Sequence, residues 1–148
     1  MKGEISVNIT LREINQANFD EVISLKVKKY CASNLYSLAQ AKIFPEAIPL
    51  AIYNNDVPVG FVMYGIEPRD NNEYWIDRFM IDEKYQRNGF GRRALEMVVD
   101  TIKQDKTHSK IKISTNPKNK VARKLYAKLG FRETGELHGD EALLILEY

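Results

Sequence analysis

The residues whose types and spacing point most directly to chemistry are Gln86-Arg87-Asn88-Gly89-Phe90-Gly91. Glycines at 89 and 91 remove side chains where the backbone must curl, so consecutive amide N–H groups can turn toward one point. If a helix follows, that point lies at its positive end, which makes the loop a cradle for an anion. Lys84, Arg87, Arg92 and Arg93 add positive charge around it, which suits a phosphorylated ligand better than an amide or a sugar. The same spacing also describes a tight strand-to-helix turn with a solvated basic rim. Two familiar phosphate loops are excluded: no third glycine and acidic ribose partner fall at the dinucleotide spacing, and no Gly-Lys-Ser/Thr follows. A second chemical feature is Asp77, set in the aromatic run Trp75-Ile76-Asp77-Arg78-Phe79-Met80-Ile81. A carboxylate among such neighbours is either paired, here by a nearby arginine, or useful.

The elements that must position these groups follow from periodicity. The run ending at Ile81 reads as a strand in which Asp77 shares a face with Trp75, Phe79 and Ile81. Gly91, Ala94, Leu95, Val98, Val99 and Ile102 recur at helical spacing, giving a helix to about Gln104. Ile111 to Thr115 is a short strand. Lys120 to Leu129 is a helix with Val121, Ala122, Leu125 and Leu129 inward and Gly130 as a left-handed stop.

Upstream, Val7, Ile9 and Leu11 alternate as a half-buried strand. A helix capped by Asn15 or Asn18 carries Phe19, Val22, Ile23 and Val27 on one side, and a second, capped by Ser33 or Asn34, ends before Pro45. Pro49 to Tyr53 and Val57 to Tyr64 form a hairpin around Asn54-Asn55-Asp56, and Phe131 to Leu137 with Ala142 to Tyr148 form another around Gly139-Asp140. The order is strand, two helices, three strands, helix, strand, helix, two strands.

A chain of 148 residues with 44% apolar and 28% charged residues is one domain's worth of ordinary globular protein. Its formal charge of +2 is too small to make nucleic acid its main partner. Cys31 is the only cysteine, so neither an intramolecular disulfide nor a thiolate-rich metal site can form. The N-terminus has no apolar signal-peptide core and no run is long enough to span a bilayer, so the expectation is a cytoplasmic protein with no membrane partner.

The loop matches the pattern Gln/Arg-x-x-Gly-x-Gly/Ala. Downstream, the segment Asn116 to Phe131 opens with Asn and closes with Leu125-Tyr126-x-x-Leu129-Gly130-Phe131. In order and separation, the two resemble the paired signatures of the GNAT superfamily of acetyl-CoA dependent N-acetyltransferases, and the resemblance covers essentially the whole chain. It implies a single domain, residues 1–148, with an α/β (α+β) fold. The central sheet would be mixed and mostly antiparallel, of about six to seven strands, with about four helices on both faces.

It also implies roles. The cofactor would be acetyl-CoA, with its pyrophosphate on the loop that Gln86 opens, against the amides of Arg87, Asn88, Gly89, Phe90, Gly91 and Arg92. Its pantetheine arm would pair with Phe79, Met80 and Ile81, where the central strand splays from Ile111 to Thr115, and one N–H there would polarise the thioester carbonyl. Tyr126 corresponds to the general acid that returns a proton to the coenzyme A thiolate, its phenol pKa of about 10 lying close enough to the thiol's to donate. Read without the resemblance, Tyr126 shares a helical face with Ala122 and Leu129 and is a packed aromatic. Asn119 matches a position contacting the pantetheine or phosphate region and equally reads as a helix N-cap. Lys118, Lys120, Arg123 and Lys124 are either a grip on the 3′-phosphate or a solvated helix face. The acceptor amine arrives protonated, so a base is needed; Asp77 is the candidate and Glu73 the second choice. Transfer would be direct, with no role for Cys31 as nucleophile.

Within the superfamily, Cys31 to Ala41, Pro49 to Tyr53 and Tyr74 to Asp82 look similar to bacterial diamine and polyamine acetyltransferases. This implies a small-molecule amine substrate such as spermidine or spermine, with Glu46, Glu67, Asp70, Glu73 and Asp77 meeting ammonium groups and Tyr36, Tyr64 and Trp75 walling the methylene chain. Arg78 departs from a purely acidic cleft and would equally orient an acidic substrate. The rivals are an enzyme for another small amine, an aminoglycoside or a protein amine, and a non-catalytic acetyl-CoA sensor; Tyr126 and the intact loop favour catalysis. Members of the family often form homodimers through sheet edges or the early helices.

Overall fold

The computed structural model describes residues 5–27 and 29–148. Met1 to Glu4, on which part of the expectation about a signal peptide rests, lie outside the described residues. Strands β1 (Ile9–Glu13), β2 (Ala47–Asn54), β3 (Val57–Glu67), β4 (Glu73–Ile81), β5 (Lys110–Thr115), β6 (Arg132–His138) and β7 (Glu141–Glu147) form one seven-stranded sheet in the order β1-β2-β3-β4-β5-β7-β6. Every neighbouring pair is antiparallel except β4 and β5. A parallel pair needs a crossover, which α3 (Phe90–Lys103) supplies. The element order is the one expected from the pattern of the sequence, and the mixed, mostly antiparallel sheet is the one the family resemblance implies.

Two apolar layers hold the sheet between helices. On one face α3 buries Phe90, Ala94, Leu95, Val98, Val99 and Ile102 against Ile52, Val62, Ile76 and Ile111, with α4 (Lys120–Lys128) alongside. On the other, α1 (Phe19–Ser24) and α2 (Asn34–Ile43) cover Ala51, Tyr53, Phe61, Met63 and Met80. Ser33 caps α2 by accepting from the Tyr36 amide, and the helix stops where Phe44, forced extended by Pro45, ends it.

Several local expectations are corrected. Val7 lies outside β1 and is 45% exposed. Asn18 occupies the N-cap position of α1 without a side-chain capping bond, its amide being engaged by Glu13 and Tyr53. Val27 lies beyond α1 but still packs on the second layer. Val121, placed inward by helical spacing, is 81% exposed: it lies in the first turn of α4 and borders the open cleft described below, while Ala122, Leu125 and Leu129 pack on the core as expected. Tyr64, offered as a substrate wall, is buried in the α3-side core.

The largest correction is in β4. Met63 pairs with Arg78 but Tyr64 pairs with Ile76, so Asp77 is the extra residue of a β-bulge. A bulge resets the alternation. Tyr74 and Ile76 therefore join Phe79 and Ile81 on the α3 side, and Asp77 does not share the strand face with Phe79 and Ile81 that regular alternation predicts.

Candidate active site

β4 and β5 pair only at Tyr74, Trp75 and Ile76, although both strands continue past that point. Among the described residues the β5-facing edge of β4 from Arg78 to Ile81 thus has no strand partner, and a cleft of about 970 Å³ opens there. Its walls are the end of β4, the 86–92 loop, α4 and the irregular segment before α2 that carries Val27, Cys31 and Ala32. An unpaired strand edge is costly unless something supplies the missing hydrogen bonds.

At the end of β4, Asp82 caps a 3-10 turn (Glu83–Tyr85) by accepting from Lys84 N at 2.9 Å, while its other oxygen accepts from Lys26 N at 2.9 Å. The Gln86 amide nitrogen donates back to the Ile81 carbonyl at 2.9 Å, which ties the loop to the strand. Arg87 (φ +67°) and Gly89 (φ +82°) are both left-handed, and Asn88 Nδ2 donates to the Tyr85 carbonyl at 3.0 Å. The first amide to find an acceptor in α3 is Arg93, on the Gly89 carbonyl at 3.2 Å. The amides of Phe90, Gly91 and Arg92 are left facing outward at the helix's positive end.

Gly91 has a different purpose from the one its spacing suggests. It is already helical, and a Cβ there would meet Phe79 Cζ at 3.0 Å, so its bareness lets α3 press onto β4. Gly89 alone among the two is needed for backbone sign. Around the loop, Arg92 and Arg93 both reach Glu96, at 3.2 Å and 3.5 Å. Arg123 is bound to Glu133 and to the Pro117 carbonyl, which leaves Lys124 as the member of the α4 basic cluster on the cleft wall. Asn119 caps α4, accepting from Ala122 N at 3.2 Å, and lines the cleft as well.

Tyr126 of α4 lines the cleft, as do Cys31, Glu141 and Asp77. Burial, then the Cys31 and Glu141 charges, pushes its phenol well above the ordinary value, so it is neutral at any working pH. The Cys31 thiol is likewise pushed up by burial, against the pull of Arg78, and is held as an unreactive thiol.

Asp77 sits at the junction of this cleft with a second cavity of about 450 Å³, which it and Arg78 also line. Among the described residues Asp77 has no ion-pair partner within 4.0 Å, so the alternative of a salt bridge to a nearby arginine is not realised. Burial raises its pKa to about 6, partly opposed by Arg78. Glu67 raises it further and Arg69 lowers it.

The second cavity draws on parts of the chain far apart in sequence: Gln40 and Phe44 from the end of α2, Glu46, the 67–70 turn, Trp75, and His138 from the tip of the β6–β7 hairpin. Trp75 donates from Nε1 to Asp70 at 2.8 Å and stacks at 4.7 Å on His138; Lys112 binds the same Asp70 oxygen at 2.7 Å. Glu67 is taken by Arg69 at 2.8 Å, and Arg69 lies over the Phe44 ring at 4.6 Å.

Of the residues proposed from sequence, Phe79, Met80, Ile81, Gln86, Arg87, Gly89, Phe90, Gly91, Arg92, Asn119, Tyr126 and Asp77 come together around the cleft, and Glu46, Trp75 and Asp77 around the second cavity. Asn88 supports the loop from within. Tyr36, 55% exposed on α2, and Glu73, at the far end of β4, line neither space. Gln40, Glu141 and His138 were missed. His138 adjoins the Gly139-Asp140 turn and Gln40 is one polar residue on a helix, so nothing local marks either. Among the described residues no group of three or more His, Cys, Asp or Glu is placed to hold a metal, and no helix is long and apolar enough to cross a membrane.

Comparison with known proteins adds an independent line. Residues 10–131 match the family model described as Acetyltransferase (GNAT) family. The chain is 30% identical over 140 residues to the spermine/spermidine N(1)-acetyltransferase of Bacillus subtilis (strain 168), covering 88% of this chain and 92% of that protein. Among solved structures, the aminoglycoside acetyltransferase AAC(6')-Ib in complex with coenzyme A superposes with a TM-score of 0.78 at 17% identity, over 95% of each chain. The PaiA N-acetyltransferase of Thermoplasma acidophilum with coenzyme A gives 0.71 at 16% identity, over 96% of this chain and 100% of that one.

Proposed function

The chain belongs to the GNAT family of acetyltransferases, and from that premise we propose that it transfers an acetyl group from acetyl-CoA to a primary amine of a polyamine such as spermidine or spermine. The observation that carries this reading is the junction at Asp77. A cleft suited to an extended phosphorylated cofactor meets a cavity with carboxylate and aromatic walls, and an unpaired carboxyl stands between them.

The cleft fits coenzyme A on its own geometry. The outward amides at 90, 91 and 92 would hold the pyrophosphate, and the unpaired edge of Phe79, Met80 and Ile81 would take the pantetheine amides as an added strand. Acetyl-CoA, when bound, supplies an acetyl thioester activated for attack.

In the second cavity Glu46 has no cation partner among the described residues, whereas Glu67 and Asp70 are held by Arg69 and Lys112. Glu46 is therefore the acid available for a remote ammonium, and Trp75 and Phe44 wall the chain that joins it to the reacting amine. Asp77 accepts the proton that the acceptor ammonium must lose, directly or through one water; with a pKa near 6 it is ionised at neutral pH yet basic enough to serve. Tyr126 gives a proton to the departing thiolate. Its phenol lies above the ordinary range, further from a free thiol than sequence alone implies, but the burial that raises it also raises the basicity of a thiolate formed beside it. That the Bacillus subtilis relative is a spermine/spermidine N(1)-acetyltransferase supports the same acceptor class.

A second reading is favoured by Arg69 and Arg78, which place positive charge in the cavity and suit an amine that also carries an acidic group. The test is release of free coenzyme A thiol from acetyl-CoA with spermidine, spermine, putrescine, an aminoglycoside, free amino acids and a lysine peptide. Spermidine or spermine leading the series supports the proposal; an amino acid leading it supports the second reading. No turnover with any amine, alongside tight acetyl-CoA binding, would leave a sensor as the better account.

A further inference from the structure

Arg78 follows the bulge, and its guanidinium is fixed from two sides. Nη1 donates to the Asp77 carbonyl at 2.7 Å, and Nη2 donates to Gln40 Oε1 at 3.0 Å, across from α2. Its Nε is buried without a partner among the described residues. A residue placed here only to fill space would not strand a buried donor, and a broken local rule of this kind is expected where a site needs the group's charge.

We propose that Arg78, held by Gln40, is a positioning residue for acetyl transfer: the clamped guanidinium fixes the bulge at the junction of the two cavities and keeps the Asp77 carboxyl in the ionised form that accepts the amine's proton. The inference rests on the reading of Asp77 as the base.

The other charges facing Asp77 do not substitute for Arg78. Glu67 at the end of β3 works against ionisation, and Arg69, which works for it, is spent on Glu67. In the second cavity Asp70 is held by Lys112, and Glu46 and His138 are also among the lining residues. On the cleft side Glu141, bonded by Ser114, adds negative charge, and Tyr126 and Cys31 are neutral. Arg78 leads Arg69 as the influence that favours the carboxylate. Without it, burial and Glu67 would act nearly unopposed.

The test reads the Asp77 carboxyl directly. Protein carrying carbon-13 at aspartate carboxyls is titrated by NMR, with Asp77→Asn identifying the resonance. Arg78→Met is expected to raise the Asp77 midpoint by on the order of one pH unit. Gln40→Leu should move it the same way by less, and Arg78→Lys should return it most of the way, which a purely packing role would not do. The acid limb of kcat/KM should follow the midpoint in each variant. An unmoved midpoint in Arg78→Met with an intact amide spectrum overturns the inference; if that variant does not fold, an unmoved midpoint in Gln40→Leu does so. A midpoint that moves while the acid limb stays put sustains the positioning effect and instead removes Asp77 as base.

Discussion

The two spaces that meet at Asp77 are built in opposite ways. The cleft owes its decisive groups to backbone: consecutive amides at the start of α3 and the bare edge of one strand, contributed by residues 78–92 in a single run. The second cavity owes its groups to side chains from α2, the α2–β2 connection, the β3–β4 turn, β4 and the β6–β7 hairpin. A backbone cradle needs only the right dihedrals and the absence of Cβ atoms, so a short motif encodes it. A side-chain cavity needs several elements packed in one arrangement, and its chemistry changes with any of them. A cofactor that never varies suits the first kind of site and an acceptor that differs between relatives suits the second.

Changes on either side of the junction should therefore separate into distinct kinetic signatures. The largest effect belongs to the cleft residue proposed as the proton donor: Tyr126→Phe should lower kcat by roughly a hundred- to a thousandfold while leaving the coenzyme A Kd near wild type, checked by stopped-flow turnover and calorimetry. An equal loss of cofactor binding would mean that Tyr126 is a packing residue.

Asp77→Asn should reduce kcat/KM by about a hundredfold at pH 8, and wild-type activity should rise with pH through a midpoint near 6. Its effect on stability has the opposite sign. Because the folded pKa lies above the unfolded value, the native state binds more protons between about pH 4 and 6, so wild-type stability falls as pH rises through that window and stays lowered above it. Asp77→Asn should relieve up to about 2 to 3 kcal/mol at pH 8 and almost nothing at pH 4. Thermal unfolding at the two pH values checks this; equal Tm changes at both would count against a strained carboxylate.

On the cleft side, Gly91→Val should weaken coenzyme A binding about tenfold and destabilise by about 1 to 3 kcal/mol, since the added side chain must push α3 from Phe79. KM for the amine, extrapolated to saturating cofactor, should hold. The smallest effect is the mirror image. Glu46→Gln should raise KM for spermidine about two- to fivefold and leave coenzyme A binding unchanged, because an exposed carboxylate gains only modestly from an ammonium. If both variants disturbed both ligands alike, the division between the two spaces would not hold.

The legibility of the sequence follows the same division. Strand and helix order came through because α3 repeats its apolar residues at helical spacing and the turns carry Asn55, Gly130 and Gly139 at left-handed dihedrals. The grouping of Tyr126 with the 86–92 loop also came through, since both sit in extended motifs. Tyr36 and Glu73 failed as cavity residues because an acid or aromatic near a site in sequence carries no direction. Val121 failed because helical spacing fixes which residues share a face but not where that face runs out: Ala122, Leu125 and Leu129 pack on the core, while Val121 in the first turn borders the open cleft. The altered company of Asp77 had no local signal at all: a bulge is a relation between two strands, visible only when Met63 and Tyr64 are seen to pair with Arg78 and Ile76.

The sequence by itself determined the things that depend on short-range backbone preference and periodic burial: the order of elements, the loop that presents amides at a helix start, and the helix that carries Tyr126. Tertiary structure decided the things that depend on distant segments meeting. It opened β4 from β5 beyond Ile76, placed an unpaired Asp77 on a bulge, brought Gln40 to Arg78, and set His138 on Trp75. Dihedral preference and hydrophobic period act within a few residues, whereas the desolvation of a carboxyl is fixed by everything the fold packs around it.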